Sequence, residues 1–424
     1  MEGVNWHLYD RKQHRAVGTD DFVFHQLIPY IGNKRKLLGL IYEAIAQTGV
    51  RGGTFVDLMA GSGVVARFAK RLGFRVVAND WEPYAAEING CYIGCNSAPP
   101  FKHLGGYEGA IKALNALPPR EDWVTRHLCP RDDERFDIHL DRMFYTRENG
   151  QRLDAMRHQI EVWRQDGAID HVEQVCLLAP LLYQTCYTSN TSGVFKGFHN
   201  GWGGQTRTAL YRIRSRLMLR PALFFDNGQK NEVPRRDALE LAGDLKSDGQ
   251  PPEIVYLDPP YNQHPYGSNY HVLNSLALWD KPPLTPHIEG RNKAAIREDW
   301  RTERRSPFNY RQEAEAGLAA LLERLDAHFL LISYSTDGLI PLECLVQRCM
   351  DRGHTSVVTR HYKRYRVSTQ RFSAKPLNVE FVLIVDTSHD HTGESPAAMC
   401  HRIRTQERAA LERHPESQPL VEGT

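Results

Sequence analysis

Long apolar runs are absent from this chain: no stretch approaches the ~20 consecutive apolar residues that a spanning helix requires, so a helical membrane protein is excluded. The first ten residues, Met1 to Asp10, have no apolar core of the signal-peptide kind, and a cytoplasmic address is the expectation. The eight cysteines (Cys91, Cys95, Cys129, Cys176, Cys186, Cys344, Cys349 and Cys400) form no CxxC pair and no Cys/His zinc spacing. They read as reduced, mostly buried thiols, with no metal site. Charge of one sign is scarce as well: 53 basic and 51 acidic residues leave a net charge of +2. Any polyanion must therefore be met by local clusters and not by a global field. There is no Walker loop, which argues against a motor, and no internal repeat.

What is present is the balance of an ordinary globular protein, with 41% apolar and 25% charged residues in a 424-residue chain. That length suits two to three domains, or one large α/β unit with an insertion. Two acid-free basic clusters stand out. One runs from Gln205 to Arg220 (Arg207, Arg212, Arg214, Arg216, Arg220), the other from Arg360 to Lys375 (Arg360, Lys363, Arg364, Arg366, Arg371, Lys375). Each is read either as a polyanion contact or as a solvated face.

The first strong pattern is Thr54-Phe-Val-Asp-Leu-Met-Ala-Gly-Ser-Gly63, a short apolar run meeting a glycine turn, followed by a helix-period segment from Val64 to Leu72. Gly73 closes that helix, and Arg75-Val-Val-Ala-Asn-Asp80 is a β-branched run ending in an acid. Strand, glycine turn, helix and acid-ended strand make the opening unit of a doubly wound nucleotide-binding sheet. The same grammar resumes late: Pro252 to Asp258 (strand), Arg311 to Asp326 (helix), His328 to Tyr334 (strand), a helix around Pro341 to Met350, and strands Thr355 to Tyr362 and Val379 to Val385. No helix joins the last two strands, so antiparallel pairing at the sheet edge is expected. This divides the chain into an arm (1–23), a core (24–98 with 234–386), an inserted, mainly helical domain (99–233) and a mobile tail (387–424).

The most specific signal is Asp258-Pro259-Pro260-Tyr261, at the C-terminal end of a predicted parallel strand, where open α/β sheets bind ligands. A rigid Pro-Pro backbone can aim the Asp258 carboxylate and the Pro259 carbonyl at the two hydrogens of one exocyclic amine. Neither proline supplies a competing N–H, and Tyr261 offers a face on which a heterocycle can stack. Such an amine is a poor nucleophile because its lone pair is delocalised, and hydrogen bonds that favour pyramidal nitrogen make the lone pair available. Catalysis of that kind is largely positioning and electrostatics.

With these motifs the chain resembles the Dam-like alpha group of S-adenosyl-L-methionine-dependent DNA adenine-N6 methyltransferases, including those of type IIS restriction–modification systems. The resemblance covers most of residues 26 to 386 and begins at Pro29-Tyr30-Ile31-Gly32-Asn33-Lys34. It implies a Rossmann-like sheet, mostly parallel with an antiparallel edge strand. It further implies a cofactor site of Tyr30, Asn33 and Lys34, the loop residues Asp57, Met59, Ala60, Gly61, Ser62 and Gly63, then Asp80 and Trp81, Asp237 and Ala238, and Asp258. Met59 departs from the family's usual Phe but keeps an apolar wall. The glycines let backbone approach the ligand.

The glycine motif precedes the catalytic tetrapeptide with 99–233 between them, the alpha-group order, so the resemblance makes that insertion the target-recognition region. Double-stranded DNA is the implied partner and a cognate restriction endonuclease a candidate one, in the cytoplasm of a bacterium or phage-infected cell. Base contacts are assigned to Lys196, His199, Asn200, Trp202, Gln205 and Arg207, phosphate contacts to Arg212, Arg214 and Arg216. The loop after the catalytic turn, with Tyr266, Asn269, Tyr270 and His271, is read as closing over an extruded adenine, because N6 cannot react while stacked and paired. The stretch from Arg291 to Arg305 reads as exposed, either phosphate-contacting or solvated.

Rival readings are methylation of cytosine N4 or of RNA, a catalytically idle DNA-binding subunit, and a nuclease built on Glu240, Asp244 and Lys246. Asp258 at the first position of the tetrapeptide favours adenine in DNA. The absence of any Pro-Cys pair removes the thiol nucleophile that cytosine-C5 chemistry requires.

Overall fold

Buried four-residue runs rich in β-branched and aromatic residues, Thr-Phe-Val-Asp and Ile-Val-Tyr-Leu, form the central strands β1 (Thr54–Asp57) and β3 (Ile254–Leu257). The computed structural model describes residues 9–10, 15–16, 21–245, 249–286, 288, 290–363 and 377–413. With β2 (Arg75–Ala78), β4 (Phe329–Ser335), β5 (His354–Lys363) and β6 (Leu377–Asp386), these strands make a six-stranded sheet in the order β2-β1-β3-β4-β6-β5. The first four are parallel, and β6 runs antiparallel to both β4 and β5, forming the antiparallel edge expected from the helix-free connection. The chain steps outward from β1 to β2 and then returns to the other side of β1 as β3. This reversal opens a crevice at the carboxyl ends of β1 and β3.

Alternation along each strand sends side chains to opposite faces. Phe55, Ile254, Tyr256 and Leu331 pack on one side with α1 (Leu38–Gln47), α2 (Val64–Arg71) and α3 (Pro83–Asn89). Val56, Val255, Leu257 and Leu330 belong to the other side.

The insertion supplies α4 (Gly106–Asn115), α5 (Trp123–Leu128), α6 (Arg147–Gln165) and α7 (His171–Tyr187). Its buried Leu114, Leu153, Leu177 and Leu182 join the same apolar cluster as Phe55 and Ile254. It thickens one layer and shares the core of the sheet. A capping box starts α7: Asp170 Oδ1 accepts from the Glu173 N–H at 2.7 Å and Glu173 Oε2 from the Asp170 N–H at 3.0 Å. Glu173 Oε1 also accepts from the Phe101 N–H, so the same cap fixes the start of the insertion.

Beyond α8 (Ala238–Ala242) and α9 (His271–Leu278), the second face is covered by α10 (Ala314–Arg324), α11 (Leu342–Arg352) and α12 (Pro396–Arg413). For the segment read as a mobile tail or a loosely packed helix, the described part from Pro396 to Arg413 is a helix docked on the sheet. Met399, Cys400 and Ile403 of α12 are buried in that second cluster, because a His-, Glu- and Pro-rich composition concealed one apolar stripe. Seven of the eight cysteines are buried, with Cys344 partly exposed, and all are free thiols. No helix among the described residues is long and apolar enough to cross a membrane. Of the second basic cluster, Arg364, Arg366, Arg371 and Lys375 lie outside the described residues.

Candidate active site

The glycine loop turns sharply between β1 and α2 because two glycines take left-handed backbone, Gly61 at φ 52° and Gly63 at φ 77°. A Cβ on Gly63 would lie 2.0 Å from Asn89 Oδ1, and one on Gly61 2.7 Å from the Tyr30 ring. Asn79, a buried residue that the sequence did not single out, staples the loop. Its Nδ2 donates to the Leu58 and Arg236 carbonyls at 3.0 and 3.1 Å, and its Oδ1 accepts from the Arg236 N–H. Asp80 Oδ2 accepts from the Gly61 N–H at 2.8 Å and Oδ1 from the Glu82 N–H at 2.9 Å. Asp237 caps α8 through one oxygen, Oδ1, which accepts from the Leu239 and Glu240 N–H groups.

These segments enclose a cavity of about 980 Å3, open solvent at its mouth included. Every residue assigned to the cofactor lines it except Gly63, which shapes the turn from behind. Five carboxylates line the space: Asp57, Asp80, Glu82, Asp237 and Asp258. Asp57 Oδ1 is buried without a hydrogen-bond partner. Burial, reinforced by the charges of Asp258 and Asp80, holds the Asp57 carboxyl well above the usual range, and burial pushes Asp80 up to about 6 against its backbone donors.

Such a donor-poor, acid-lined cavity fits S-adenosyl-L-methionine, which is cationic and rich in hydroxyl and amino donors. Of the residues lining it, Asp57, Asp80 and Asp237 would accept from such donors, Lys34 is a buried cation that would meet the carboxylate, and Met59, Ala60 and Trp81 would be the apolar walls.

The catalytic turn enters the same cavity. Asp258 and Pro260 line it, and Asp258 Oδ1 lies 2.9 Å from Lys34 Nζ. Burial alone would lower the Lys34 pKa, yet Asp258, with Tyr261 and Glu380, outweighs it and holds the ammonium well above its usual value. Burial raises Asp258 more than Lys34 pulls it down. Lys34 also covers one face of Tyr261, 5.0 Å from the ring centroid, while Tyr334 meets that ring at 74°. Beside them Tyr30 stacks on Tyr266 and on Tyr270, each at 5.0 Å. The Tyr266 hydroxyl donates to the Ile31 carbonyl at 3.0 Å, and the Ile31 N–H donates to the Tyr270 hydroxyl at 2.9 Å. The loop after the catalytic turn thus holds the cofactor loop.

Placement of the residues assigned to DNA is mixed. Gln205, Arg207, Arg214, Arg216 and Asn200 are exposed, with Lys196 and His199 half-buried. Arg214 and Arg216 reach Glu134 and Glu148 at 3.1 and 3.8 Å. Arg212 turns inward, donating to the Cys186 and Tyr187 carbonyls.

Four assignments are corrected by burial. Trp202 is interior and donates to the Asp133 carbonyl at 2.8 Å. Asn269, Tyr270 and His271 face the interior too. His271 Nε2–H donates to the Phe195 carbonyl at 2.8 Å, and burial pushes its pKa down to about 4, so it is neutral. Tyr266 lines the cavity. These aromatic and amide residues read as surface contacts because the segment is polar, but they are the pins of a loop.

The Arg291 to Arg305 stretch is corrected as well. Arg304 is only 8% exposed and pairs with Asp299 at 2.7 Å and Glu82 at 3.5 Å, and the following Ser306, Pro307, Phe308 and Asn309 form a cavity wall. Glu82 is buried, accepts from Asn274 at 2.6 Å, and is pushed by burial to about 7, against the pull of Arg304. Neither residue carried a sequence signal beyond its charge. Of the residues considered for a nuclease, Glu240 and Asp244 are described and Lys246 lies outside the described residues, among which no group of three or more His, Cys, Asp or Glu side chains could hold a metal ion.

A family model described as D12 class N6 adenine-specific DNA methyltransferase matches residues 30–313. The type II methyltransferase M.NlaIII of Neisseria lactamica is 32% identical over 342 residues, 80% of this chain and 92% of that protein. The type II methyltransferase M.CviAII of Paramecium bursaria Chlorella virus 1 is 30% identical over 345 residues, 80% of this chain and 93% of that protein. Modification methylase LlaI of Lactococcus lactis subsp. lactis is 27% identical over 375 residues, 87% of this chain but 56% of its own length. No solved structure matches the chain.

Proposed function

Since the chain belongs to the D12 class of N6 adenine-specific DNA methyltransferases, we propose that it methylates adenine within one short duplex sequence, flipping the base into the crevice between β1 and β3. The observation that carries this reading is Asp258, aimed into the same cavity as Asp57, Asp80 and Asp237 at the sheet's switch point.

S-adenosyl-L-methionine, the methyl donor of this class, supplies when bound a methyl group on positively charged sulfur. Asp57, Asp80 and Asp237 accept its donor groups, and Lys34 offers charge to its carboxylate. The Asp258 carboxylate and Pro259 carbonyl accept the two N6 hydrogens of the extruded adenine, drawing the nitrogen lone pair out of the ring and toward the cofactor cavity. The face of Tyr261 not covered by Lys34 stacks the base. Held by Asp57, Asp80, Asp237 and Lys34, the cofactor would supply its methyl group to the N6 lone pair, the carbon–sulfur electron pair staying on sulfur. The surplus N6 proton leaves to solvent or by way of Asp258, whose raised pKa suits brief proton acceptance.

Recognition is assigned to the insertion, through the exposed Asn200, Gln205 and Arg207, with Arg214 and Arg216 near phosphates. The type II names of its relatives support a role in restriction–modification, and an endonuclease cutting the same sequence is the partner this reading proposes.

The test is single-molecule sequencing of DNA from a methylation-free host expressing the chain, beside an Asp258→Ala control that retains cofactor binding. N6-methyladenine at one motif, missing in the control, is expected. An unmodified genome with soluble protein overturns the reading.

A further inference from the structure

The Lys196 ammonium rests against the imidazole of His264, with Nζ 3.5 Å from Nδ1. One belongs to the glycine-rich loop of the insertion, the other lies three residues past Tyr261 on the catalytic loop. No carboxylate pairs with either among the described residues, whereas Arg214, Arg216, Arg297 and Arg304 all have acid partners. Burial lowers the Lys196 pKa, and burial followed by Lys196 lowers that of His264. A half-buried ammonium with no carboxylate beside it is electrostatically incomplete, and the imidazole next to it has a second ring nitrogen to offer.

The pair is also built from the interior outward. The Phe195 N–H donates to the Asn269 carbonyl at 2.7 Å, and the Phe195 carbonyl accepts from His271. Asn269 Nδ2 in turn donates to the His264 carbonyl at 3.4 Å, and the His264 N–H donates to Asn262 Oδ1 at 2.9 Å. Asn309 Nδ2 fixes the Asn262 carbonyl at 2.8 Å. Buried Asn269 therefore holds both loops in one register, with the half-buried lysine and the exposed imidazole presented side by side.

We propose that Lys196 and His264 form a clamp for a single backbone phosphate of the DNA strand that carries the target adenine, joining the recognition loop to the catalytic loop through that phosphate. The proposal rests on the reading of the chain as a DNA adenine methyltransferase. It assigns Lys196 to the backbone and not to a base edge, and it gives His264 a role where the sequence suggested none. A phosphodiester supplies the missing negative charge and two oxygens that accept from both side chains. The site lies on the catalytic loop itself, so the phosphate it holds is one that flanks the extruded nucleotide, and holding it fixes the strand while the base leaves the stack.

The test uses the duplex motif identified by sequencing, prepared with one neutral methylphosphonate linkage at a time at each phosphate within three of the target adenine. Binding by wild type, Lys196→Gln and His264→Gln is compared, each protein first shown to bind S-adenosyl-L-methionine with unchanged affinity. At one linkage, neutralisation should weaken wild-type binding roughly tenfold while weakening neither variant further. On the unmodified duplex, the slope of log affinity against log salt should fall by about 1 in Lys196→Gln. Variants that remain as sensitive as wild type at every linkage overturn the clamp. So does an altered sequence preference accompanied by an unchanged response to neutralisation, because that is the signature of a base contact. Methylation of the unmodified duplex by wild type is scored alongside, so failure of the underlying activity is seen separately from failure of the clamp.

Discussion

Lys34 Nζ lies 2.9 Å from Asp258 Oδ1 with both side chains withdrawn from solvent, 3% and 19% exposed. The residue expected to meet the cofactor carboxylate therefore also neutralises the residue expected to meet the target amine. On the proposed reading one buried cation would serve both halves of the reaction, and its removal would leave a buried carboxylate uncompensated.

Asp258 must be ionised to accept from N6, so activity falls as pH drops through its pKa. Burial sets that pKa above the ordinary carboxylate range and Lys34 draws it down. Lys34→Met should therefore move the acidic limb of kcat/KM to higher pH and lower the rate at neutral pH by at least about tenfold. Profiles of both proteins at saturating cofactor provide the check, and an unmoved limb would sink the argument.

Gly61→Ala places a methyl group against Tyr30 in left-handed backbone. A strain of about 1–2 kcal/mol is expected, released by displacing Tyr30 from its stack on Tyr266 and Tyr270. Calorimetry should show roughly tenfold weaker cofactor binding in a protein with native circular dichroism. Equal affinity would mean that the loop yields elsewhere.

Arg304→Gln removes the cation beside buried Glu82. Glu82 already lies near 7 and should rise further, with its charge lost at neutral pH. The wall from Ser306 to Asn309 then loosens, and cofactor dissociation should quicken several-fold while the chemical step at saturation changes little. Stopped-flow displacement and single-turnover rates separate the two. A slowed chemical step with unaltered dissociation contradicts this account.

Ile403→Ala tests whether α12 belongs to the folded unit. Ile403 is fully buried against the second face of the sheet, so a loss of about 2–4 kcal/mol is expected in urea unfolding. A change below about 0.5 kcal/mol would return α12 to the status of a loosely attached tail.

While Asp57 and Asp237 were singled out by the family resemblance, local pattern alone revealed the strands at Thr54 and Ile254, the glycine turn, the acid Asp80 and the tetrapeptide from Asp258 to Tyr261. Each depends on neighbours within a few residues: a β-branched run, a positive-φ turn, a strand-end carboxylate. Glu82, Asn79 and Arg304 left no such trace. Arg304 sits in a run of charges that reads as solvated, and only the return of residues 299–309 over the cavity mouth places it beside Glu82. His271 and Tyr270 misled for the opposite reason, since polar and aromatic residues after a catalytic turn suit a base-closing loop as well as they suit an interior anchor.

The sequence by itself determined the order of the chemistry: a cofactor loop, an insertion, then an acid on a proline turn, because these motifs are short and their backbone requirements are local. Tertiary structure decided which charges are compensated and which are left to meet a ligand. Lys34 reaches Asp258, Arg304 reaches Glu82, and Lys196 meets only His264, pairings that depend on how far apart segments return to one crevice. Burial sets the strength of each, and burial is a property of the packed layers and not of any stretch of residues.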